Sequence, residues 1–255
     1  MDLNHKIFGQ GDPIIILHGL FGMLDNWQTI ARKLQEEYMV ILVDQRDHGK
    51  SPHTDDFNYN LLAHDLAEFM ENQWIHHARI VGHSMGGKTA MQFASLYPDM
   101  VEQLVVVDIA PKAYRPGHDT IFKALQAVPI DTITDRSEAE EAIGQYIDDK
   151  GIILFLMKNL QRKKEGGFRW KMNLDLLYNQ YPEIIKELSI PQPVDLDTLF
   201  IYGSKSKYIT EEEIPEIKNS FPNAKFEALN AGHWVHAEKP KELLNLMTEF
   251  FANPS

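Results

Sequence analysis

The chain has 255 residues, of which 44% are hydrophobic and 24% charged, an ordinary composition for a globular protein. Its 37 acidic and 25 basic residues give a formal net charge of −12, and because such a surface repels phosphate backbones and anionic lipid we expect neither nucleic acid nor a membrane as a partner. The sequence has no cysteine, which excludes disulfides, thiolate nucleophiles and cysteine-ligated zinc. The first ten residues lack the basic start and apolar core of a signal peptide, and we expect a cytoplasmic protein.

Short apolar segments alternate with amphipathic segments along most of the chain. The apolar segments predict strands at 13–17, 39–44, 78–82, 104–108, 198–203 and 224–229. The amphipathic segments predict helices near 26–36, 60–73, 85–97, 211–220 and 239–251. This alternation favours an α/β fold, in which a mostly parallel sheet carries helices on both faces.

The alternation stops between residues 112 and 196. This stretch has helical patterns at 151–161 and 173–188 but no convincing strand, so we predict an all-helical insertion at 112–196 within a core formed by 1–111 and 197–255. The basic segment 161–167 is typical of a solvated turn. Five aromatic residues of the insertion are expected mostly to form its own core, with some of them lining an apolar pocket: Phe122, Phe155, Trp170, Tyr178 and Tyr181.

A G-x-S-x-G motif spans residues 82–86, between a predicted strand and a predicted helix. A serine at such a junction sits on a sharp, strained turn that exposes its hydroxyl at the carboxyl edge of the sheet, where open α/β sheets bind ligands. The flanking glycines avoid Cβ clashes with neighbouring elements. Ser84 is therefore predicted to be a nucleophile.

A serine nucleophile needs a base to accept its proton. The segment "NAGHWVHAEKP" follows the last predicted strand and contains two candidates, His233 and His236. His233 follows a small Ala-Gly pair at the strand end and is the preferred base, in the chain order serine, acid, histidine. His236 lies beside the start of the last helix and is expected to be structural.

The loop "HGLFG" at 18–22 closes an early strand and contributes through its backbone. Acyl transfer proceeds through an oxyanion that preorganised N–H donors stabilise. We predict the N–H groups of Leu20 and Met85 as these donors, Met85 being the first residue after the nucleophile. His18 is expected to brace the loop rather than to carry a proton.

The whole chain resembles the α/β-hydrolase superfamily, through "HGLFG", "DQRDHGKS", "GHSMGG", "VVVDIAP" and "AGHWVHAEKP" in the usual order. More narrowly, "HGLFGMLDNW", "GHSMGGKTAM" and "DIAP" resemble the small bacterial carboxylesterases of the YbfF type. The resemblance implies an eight-stranded sheet, a helical cap over the pocket and hydrolysis of esters with modest acyl groups.

The chain departs from the usual superfamily pattern at the catalytic acid. That acid usually follows the strand after the cap in a G-x-x-D turn, but here Gly203 is followed at the acid position by Ser206. Serine carries no negative charge with which to stabilise an imidazolium. Asp108, at the end of the strand after the nucleophile strand, becomes the preferred acid, and the YbfF-type resemblance also places the acid there. Ser206 is then a possible fourth member of the network.

Three other carboxylates compete with Asp108 in the sequence. Asp44 ends a strand but precedes Ser84, and the resemblance implies a structural role for it. Asp197 precedes its strand and would lie at the wrong edge. Glu211 follows the turn after residue 203 and is expected to cap the next helix.

These residues together predict a serine carboxylesterase that cleaves short to medium acyl esters through an acyl-enzyme on Ser84. The sequence contains no G-x-G-x-x-G, Walker or metal-ligand motif, so no cofactor and no metal are expected. Lys88 is expected to form a salt bridge. The alternatives are an acyl-CoA thioesterase, a C–C hydrolase or lyase with the same triad, and a low-turnover ligand sensor.

Overall fold

The computed structural model describes residues 1–253, which contain nine strands and eleven α-helices. The strands are β1 His5–Phe8, β2 Pro13–Leu17, β3 Met39–Val43, β4 Ala78–His83, β5 Val101–Val107, β6 Leu160–Arg162, β7 Phe168–Trp170, β8 Thr198–Gly203 and β9 Ala224–Leu229. The helices are α1 Gln28–Leu34, α2 Tyr59–Asn72, α3 Met85–Leu96, α4 Asp119–Gln126, α5 Arg136–Gly144, α6 Lys150–Met157, α7 Leu174–Asn179, α8 Tyr181–Ile185, α9 Ile214–Ser220, α10 Val235–Glu238 and α11 Pro240–Ala252.

Seven strands form the main sheet, in the order β1-β3-β2-β4-β5-β8-β9. All neighbouring strands are parallel except β1, which pairs antiparallel with β3. The mostly parallel α/β fold is thereby confirmed. Successive side chains of β2 enter opposite layers: Ile14 and Ile16 pack with α1 and α11, while Ile15 and Leu17 pack with α2 and α3. A strand buried on both faces must be apolar throughout, which explains the unbroken apolar segments.

The main sheet of the described residues has seven strands rather than the eight that the family resemblance implies. The chain enters the sheet through the single short strand β1, which the sequence analysis missed. None of the four residues of β1 is fully buried, and Ile7 is half exposed. An edge strand with so little burial has no apolar pattern to reveal it.

The prediction of an all-helical insertion was wrong. Between β5 and β8 the chain forms the helices α4 to α8 and also a two-stranded antiparallel hairpin of β6 and β7. The basic segment 161–167 includes the hairpin turn, where Gly166 and Gly167 have φ angles of 98° and 74°. Lys163 N donates a hydrogen bond to Gly167 O at 3.0 Å. Strands of three residues are too short to show an alternating pattern.

The parallel strands bring five loops to one edge of the sheet. These loops follow the carboxyl ends of β2, β4, β5, β8 and β9, which are neighbours in the sheet. Because parallel strands all end at the same edge, residues far apart in the chain meet there. The candidate site is built from these five loops.

Candidate active site

Ser84 occupies a strained turn between β4 and α3. Its backbone angles are φ 53° and ψ −120°, a conformation that non-glycine residues rarely adopt. The neighbouring glycines permit this turn, because a Cβ atom on Gly82 would lie 2.2 Å from the carbonyl oxygen of Gly86. Ser84 N donates a hydrogen bond to Val107 O at 3.0 Å, which fixes the turn against the end of β5.

His233 connects the hydroxyl of Ser84 to the carboxylate of Asp108. His233 Nε2 lies 3.0 Å from Ser84 Oγ, and His233 Nδ1 lies 2.7 Å from Asp108 Oδ2. The three residues follow β9, β4 and β5 and are brought together by the sheet topology. The His233 side chain is 22% exposed, whereas that of Asp108 is fully buried.

The buried carboxylate of Asp108 is satisfied by hydrogen bonds on both oxygens. Oδ1 accepts from Gly203 N at 2.9 Å, and Oδ2 accepts from Ser206 Oγ at 2.6 Å as well as from His233. Asp108 has a φ of 52°, and its own N–H donates to Ile201 O at 2.9 Å. The hydrogen bonds that the carboxylate accepts from Gly203, Ser206 and His233 offset the cost of burying its charge. Ser206 thus contacts the carboxylate directly.

Asp44 lies within a loop network away from His233. Its carboxylate accepts hydrogen bonds from Leu24 N at 2.7 Å, Lys50 N at 2.9 Å and Asn4 Nδ2 at 2.6 Å. The loops after β2 and β3 are held together by these contacts. The arrangement is that of a structural carboxylate.

The other two competing carboxylates do not contact His233 either. Asp197 directly precedes β8, at the edge opposite to the candidate site. Glu211 is the first residue of the 3-10 helix Glu211–Glu213 and was expected to cap it, but the capping contact is made by Glu213. Glu213 accepts the hydrogen bond of Thr210 N at 3.0 Å.

His236 and His18 are buried histidines outside the Ser84–His233–Asp108 chain. The ring of His236 stacks on Trp27 with centroids 4.8 Å apart, and burial lowers its pKa to about 3. His18 Nδ1 lies 2.8 Å from Gly19 O, and His18 Nε2 accepts from Gln45 N at 3.1 Å. Burial lowers the pKa of His18 to about 4. His18 is positioned to brace the glycine loop.

Leu20 and Met85, whose backbone N–H groups were predicted as oxyanion donors, line the same cavity as Ser84. Within residues 1–253 neither N–H donates a hydrogen bond to another group of the protein. Met85 is the first residue of α3, where the helix dipole favours negative charge. Both N–H groups are therefore available to an oxyanion.

Two cavities meet at Ser84 and share Leu20 and His118 as walls. The smaller cavity, about 50 Å³, also borders His233 and includes apolar side chains of the insertion and of the loop after β9: Ile121, Ile152, Phe155 and Trp234. The larger cavity, about 650 Å³, extends beneath the start of the insertion and includes Met85, Tyr59, Tyr114, Tyr181, Ile184 and Tyr208. Ser84 thus lies in the walls of both cavities.

Lys88 is buried in the wall of the larger cavity, and its expected salt bridge does not form. Its Nζ donates hydrogen bonds to the carbonyl oxygens of Lys112, at 2.9 Å, and of Lys186. The rings of Tyr59 and Tyr114 lie 5.6 and 5.0 Å from the same nitrogen. Burial lowers the pKa of Lys88 to about 7. The two carbonyl oxygens belong to residues near the two ends of the insertion, and these ends pass over helix α3, which carries Lys88.

Tyr208 is a site residue that the sequence analysis missed. Its ring stacks on the ring of His233 with centroids 3.9 Å apart and an interplanar angle of 16°. The sequence shows an aromatic residue two positions after Ser206, but the local pattern gives no sign that it meets a residue of a later loop.

The five aromatic residues predicted for the core or pocket of the insertion have different environments. Phe122 is fully buried in the core, while Phe155 and Tyr181 line the cavities at Ser84. Tyr178 is 49% exposed and Trp170 is partly buried. Two of the five thus line a cavity, as expected of some of them.

No three side chains of His, Asp or Glu among residues 1–253 cluster in a way that could hold a metal ion. In the same part of the chain, no helix has both the length and the apolar character needed to cross a membrane.

Comparison with known proteins places the chain in a family. Residues 12–240 match the family described as the alpha/beta hydrolase fold. The chain is 39% identical to Esterase YbfF of Escherichia coli K12 over 240 residues, which cover 93% of this chain and 92% of the relative. It is 37% identical to the sn-1-specific diacylglycerol lipase ABHD11 of Mus musculus over 248 residues, covering 94% and 80% of the two chains.

A solved structure agrees with these relatives. A marine microorganism esterase superposes with a TM-score of 0.95 at 42% identity, covering 97% of this chain and 98% of the other. The resemblance to the YbfF type that the motifs indicate is confirmed by these matches. On the family match, the identities and the shared architecture, the chain belongs to the alpha/beta hydrolase family.

Proposed function

We propose that this protein is a serine carboxylesterase that cleaves short to medium acyl esters. The observation that carries the proposal is the continuous hydrogen-bond chain from Ser84 Oγ through His233 to the buried carboxylate of Asp108. The relatives named esterase and diacylglycerol lipase support hydrolysis of a carboxylic ester as the reaction. The nucleophile, base and acid are all side chains, so the reaction requires no cofactor.

In the acylation step, Ser84 Oγ attacks the ester carbonyl carbon while His233 Nε2 accepts the hydroxyl proton. Asp108 holds the imidazole in the required tautomer and stabilises the imidazolium that forms. The negative charge on the carbonyl oxygen is stabilised by the N–H groups of Leu20 and Met85. The carbon–oxygen bond of the ester then breaks, and the departing alcohol takes the proton from His233.

In the deacylation step, water replaces the alcohol. His233 removes a proton from the water, which attacks the acyl carbon bonded to Ser84 Oγ. The tetrahedral intermediate collapses, the Ser84–acyl bond breaks, and His233 returns the proton to Ser84 Oγ. The carboxylic acid leaves, and the free enzyme is restored.

The insertion is proposed to act as a cap that bounds the substrate pocket. Phe155 and Tyr181 of the insertion line the two cavities at Ser84. Their apolar surfaces suit the hydrocarbon part of an ester. The smaller cavity limits one half of the ester, whereas the larger cavity can hold a longer group.

The proposal is tested with p-nitrophenyl esters of increasing acyl length, with acyl-CoA substrates run in parallel. We expect repeated turnover by the wild-type protein, and we expect Ser84→Ala to fold normally but to retain only residual hydrolysis from the oxyanion donors. A phosphonate should add once per chain, on Ser84, as seen by mass spectrometry. Near wild-type turnover by folded Ser84→Ala would contradict the serine mechanism.

The other outcomes identify the alternatives. Much faster cleavage of acyl-CoA than of matched oxygen esters would indicate a thioesterase. A single slow modification without turnover would indicate a ligand sensor, and cleavage of a C–C bond with inert esters would indicate a C–C hydrolase or lyase.

A further inference from the structure

The stack of Tyr208 on His233 covers one face of the imidazole ring. The two rings are nearly parallel, at 16°, and their centroids lie 3.9 Å apart. The ring nitrogens of His233 point in its plane toward Asp108 and Ser84. Tyr208 therefore contacts the π face of the imidazole without competing for either hydrogen bond.

Tyr208 is fixed in this position by its backbone. Tyr208 N donates to Ser206 Oγ at 3.2 Å, and Tyr208 O accepts from Tyr114 Oη at 2.8 Å. Tyr114 Oη in turn accepts from Ala110 N at 2.7 Å. The hydroxyl of Tyr114 thus ties the loop that carries Tyr208 to the loop that carries Asp108.

Few groups near His233 can interact electrostatically with a positive charge on its imidazole ring. Asp108 carries the opposite charge at Nδ1. The neighbouring histidines His83, His118 and His236 have pKa values that burial lowers, so these rings are neutral near pH 7. Tyr208 separates the imidazole from the larger cavity, which its own ring helps to line. The stacked face is consequently shielded from water on that side.

We propose that Tyr208 is a positioning residue that stabilises the imidazolium form of His233 through a cation–π contact; the inference rests on the serine mechanism proposed above. The face of an aromatic ring attracts a cation, and this attraction is larger where water is excluded. In the proposed mechanism His233 accepts the proton of Ser84, so its imidazole becomes cationic in the transition states. The contact is therefore stronger in the transition state than in the free enzyme, which is the requirement for a gain in rate.

The experiment replaces Tyr208 by phenylalanine and by ring-fluorinated phenylalanines, up to pentafluorophenylalanine. Fluorine withdraws electron density, so stepwise fluorination progressively removes the negative electrostatic potential of the ring face while almost preserving the shape of the ring. Tyr208→Phe should retain the contact, because the Tyr208 hydroxyl makes no hydrogen bond among the described residues. Stepwise fluorination should lower kcat progressively, to about one tenth at pentafluorophenylalanine, with KM changing little.

The pH profile separates this role from simple packing. A weaker contact disfavours the imidazolium, so the midpoint of the acid limb of kcat/KM should move to lower pH with each fluorine, by about one unit in the last variant. Tyr208→Leu should show the same shift together with a larger loss of kcat. Thermal unfolding of each variant checks that the fold is unchanged.

The matched control is pentafluorophenylalanine at Phe226. Phe226 stacks on Phe200 with centroids 5.0 Å apart at 9°, between β8 and β9 and without an imidazole. Fluorination there should leave kcat and the pH profile unchanged. Equal kcat values and equal acid limbs for Tyr208→Phe and the pentafluoro variant would overturn the inference while leaving the serine mechanism intact. A wild-type protein that neither hydrolyses esters nor adds a phosphonate at Ser84 would overturn both.

Discussion

The carboxylate of Asp108 is fully buried and accepts hydrogen bonds from His233, Ser206 and Gly203. Asp108→Asn preserves the size of the side chain but removes its charge and lets an amide N–H face His233. We expect turnover to fall by about 10⁴-fold, the size of the effect in serine proteases, because the imidazole is held in the wrong tautomer. Steady-state kinetics on a p-nitrophenyl ester measures the loss.

The matched comparison is Glu211→Gln, which changes the carboxylate nearest in the chain to the usual acid position. Glu211 lies in a 3-10 helix and does not contact His233. Its substitution should leave turnover near the wild-type value. A mild effect of Asp108→Asn combined with a severe effect of Glu211→Gln would refute the assignment of Asp108.

Ser206 donates to the same carboxylate oxygen that faces His233, at 2.6 Å. Ser206→Ala removes this charge-assisted hydrogen bond and the longer one that Ser206 Oγ accepts from Tyr208 N, but leaves the charge of Asp108 and the contact with Gly203. We expect kcat/KM to fall by about tenfold, far less than for Asp108→Asn. The two variants are compared on one ester at one pH, and a loss for Ser206→Ala as large as that for Asp108→Asn would give Ser206 a larger role.

At the scale of elements, Lys88 links helix α3 to both ends of the insertion through the carbonyls of Lys112 and Lys186. Lys88→Met keeps the apolar stem and leaves two carbonyl oxygens without this donor. We expect a loss of about 3 kcal/mol in the free energy of unfolding, measured by urea denaturation. Lys33→Met, on the exposed face of α1, is the control and should change stability by less than about 0.5 kcal/mol.

The insertion contributes Phe155 to the smaller cavity, where its ring lies 5.8 Å from that of Trp234. Phe155→Ala enlarges this cavity. We expect the preference for longer chains to rise by roughly 1–3 kcal/mol per methylene accommodated. Two ester series, one varied in the acyl chain and one in the alcohol, identify the half of the ester that occupies the cavity. Tyr178→Ala, an exposed aromatic outside both cavity walls, should change neither series.

At the scale of the whole molecule, buried neutral histidines make the fold sensitive to acid. Burial lowers the pKa of His18 to about 4 and those of His48 and His236 to about 3. In the unfolded chain these groups titrate near 6.5. Below that pH the unfolded state binds more protons than the folded state, so stability is complete above about pH 6.5 and falls as the pH decreases.

Each such histidine is expected to remove about 1.4 kcal/mol of stability per pH unit over this range. Urea unfolding between pH 7.5 and 4.5 measures the slope. His236→Gln should make the slope shallower, whereas His77→Gln should leave it unchanged because His77 is 65% exposed. A free energy of unfolding that stays constant from pH 7.5 to 5 would contradict the prediction.

The local sequence determined the apolar strands of the sheet, though not the edge strand β1, and it determined the turn at Ser84. The segments predicted at 13–17, 198–203 and 224–229 coincide with β2, β8 and β9. These strands could be predicted because burial on both faces demands an apolar segment, a property of neighbouring residues alone. The turn at Ser84 could be predicted because its strained backbone requires glycine at 82 and 86.

The tertiary structure decided which residues of different strands, helices and loops contact each other. The sequence favoured Asp108 over Asp44, Asp197 and Glu211, but the contact between Asp108 and His233 is visible only in the tertiary structure. The same holds for the stack of Tyr208 on His233.

The carbonyl partners of Lys88 and the pairing of β6 with β7 were likewise decided by the tertiary structure. The Lys88 contacts join positions 24 and 98 residues apart, and the hairpin strands are only three residues long. A local pattern of hydrophobicity carries no information about such contacts, because they depend on the path of the chain between the elements.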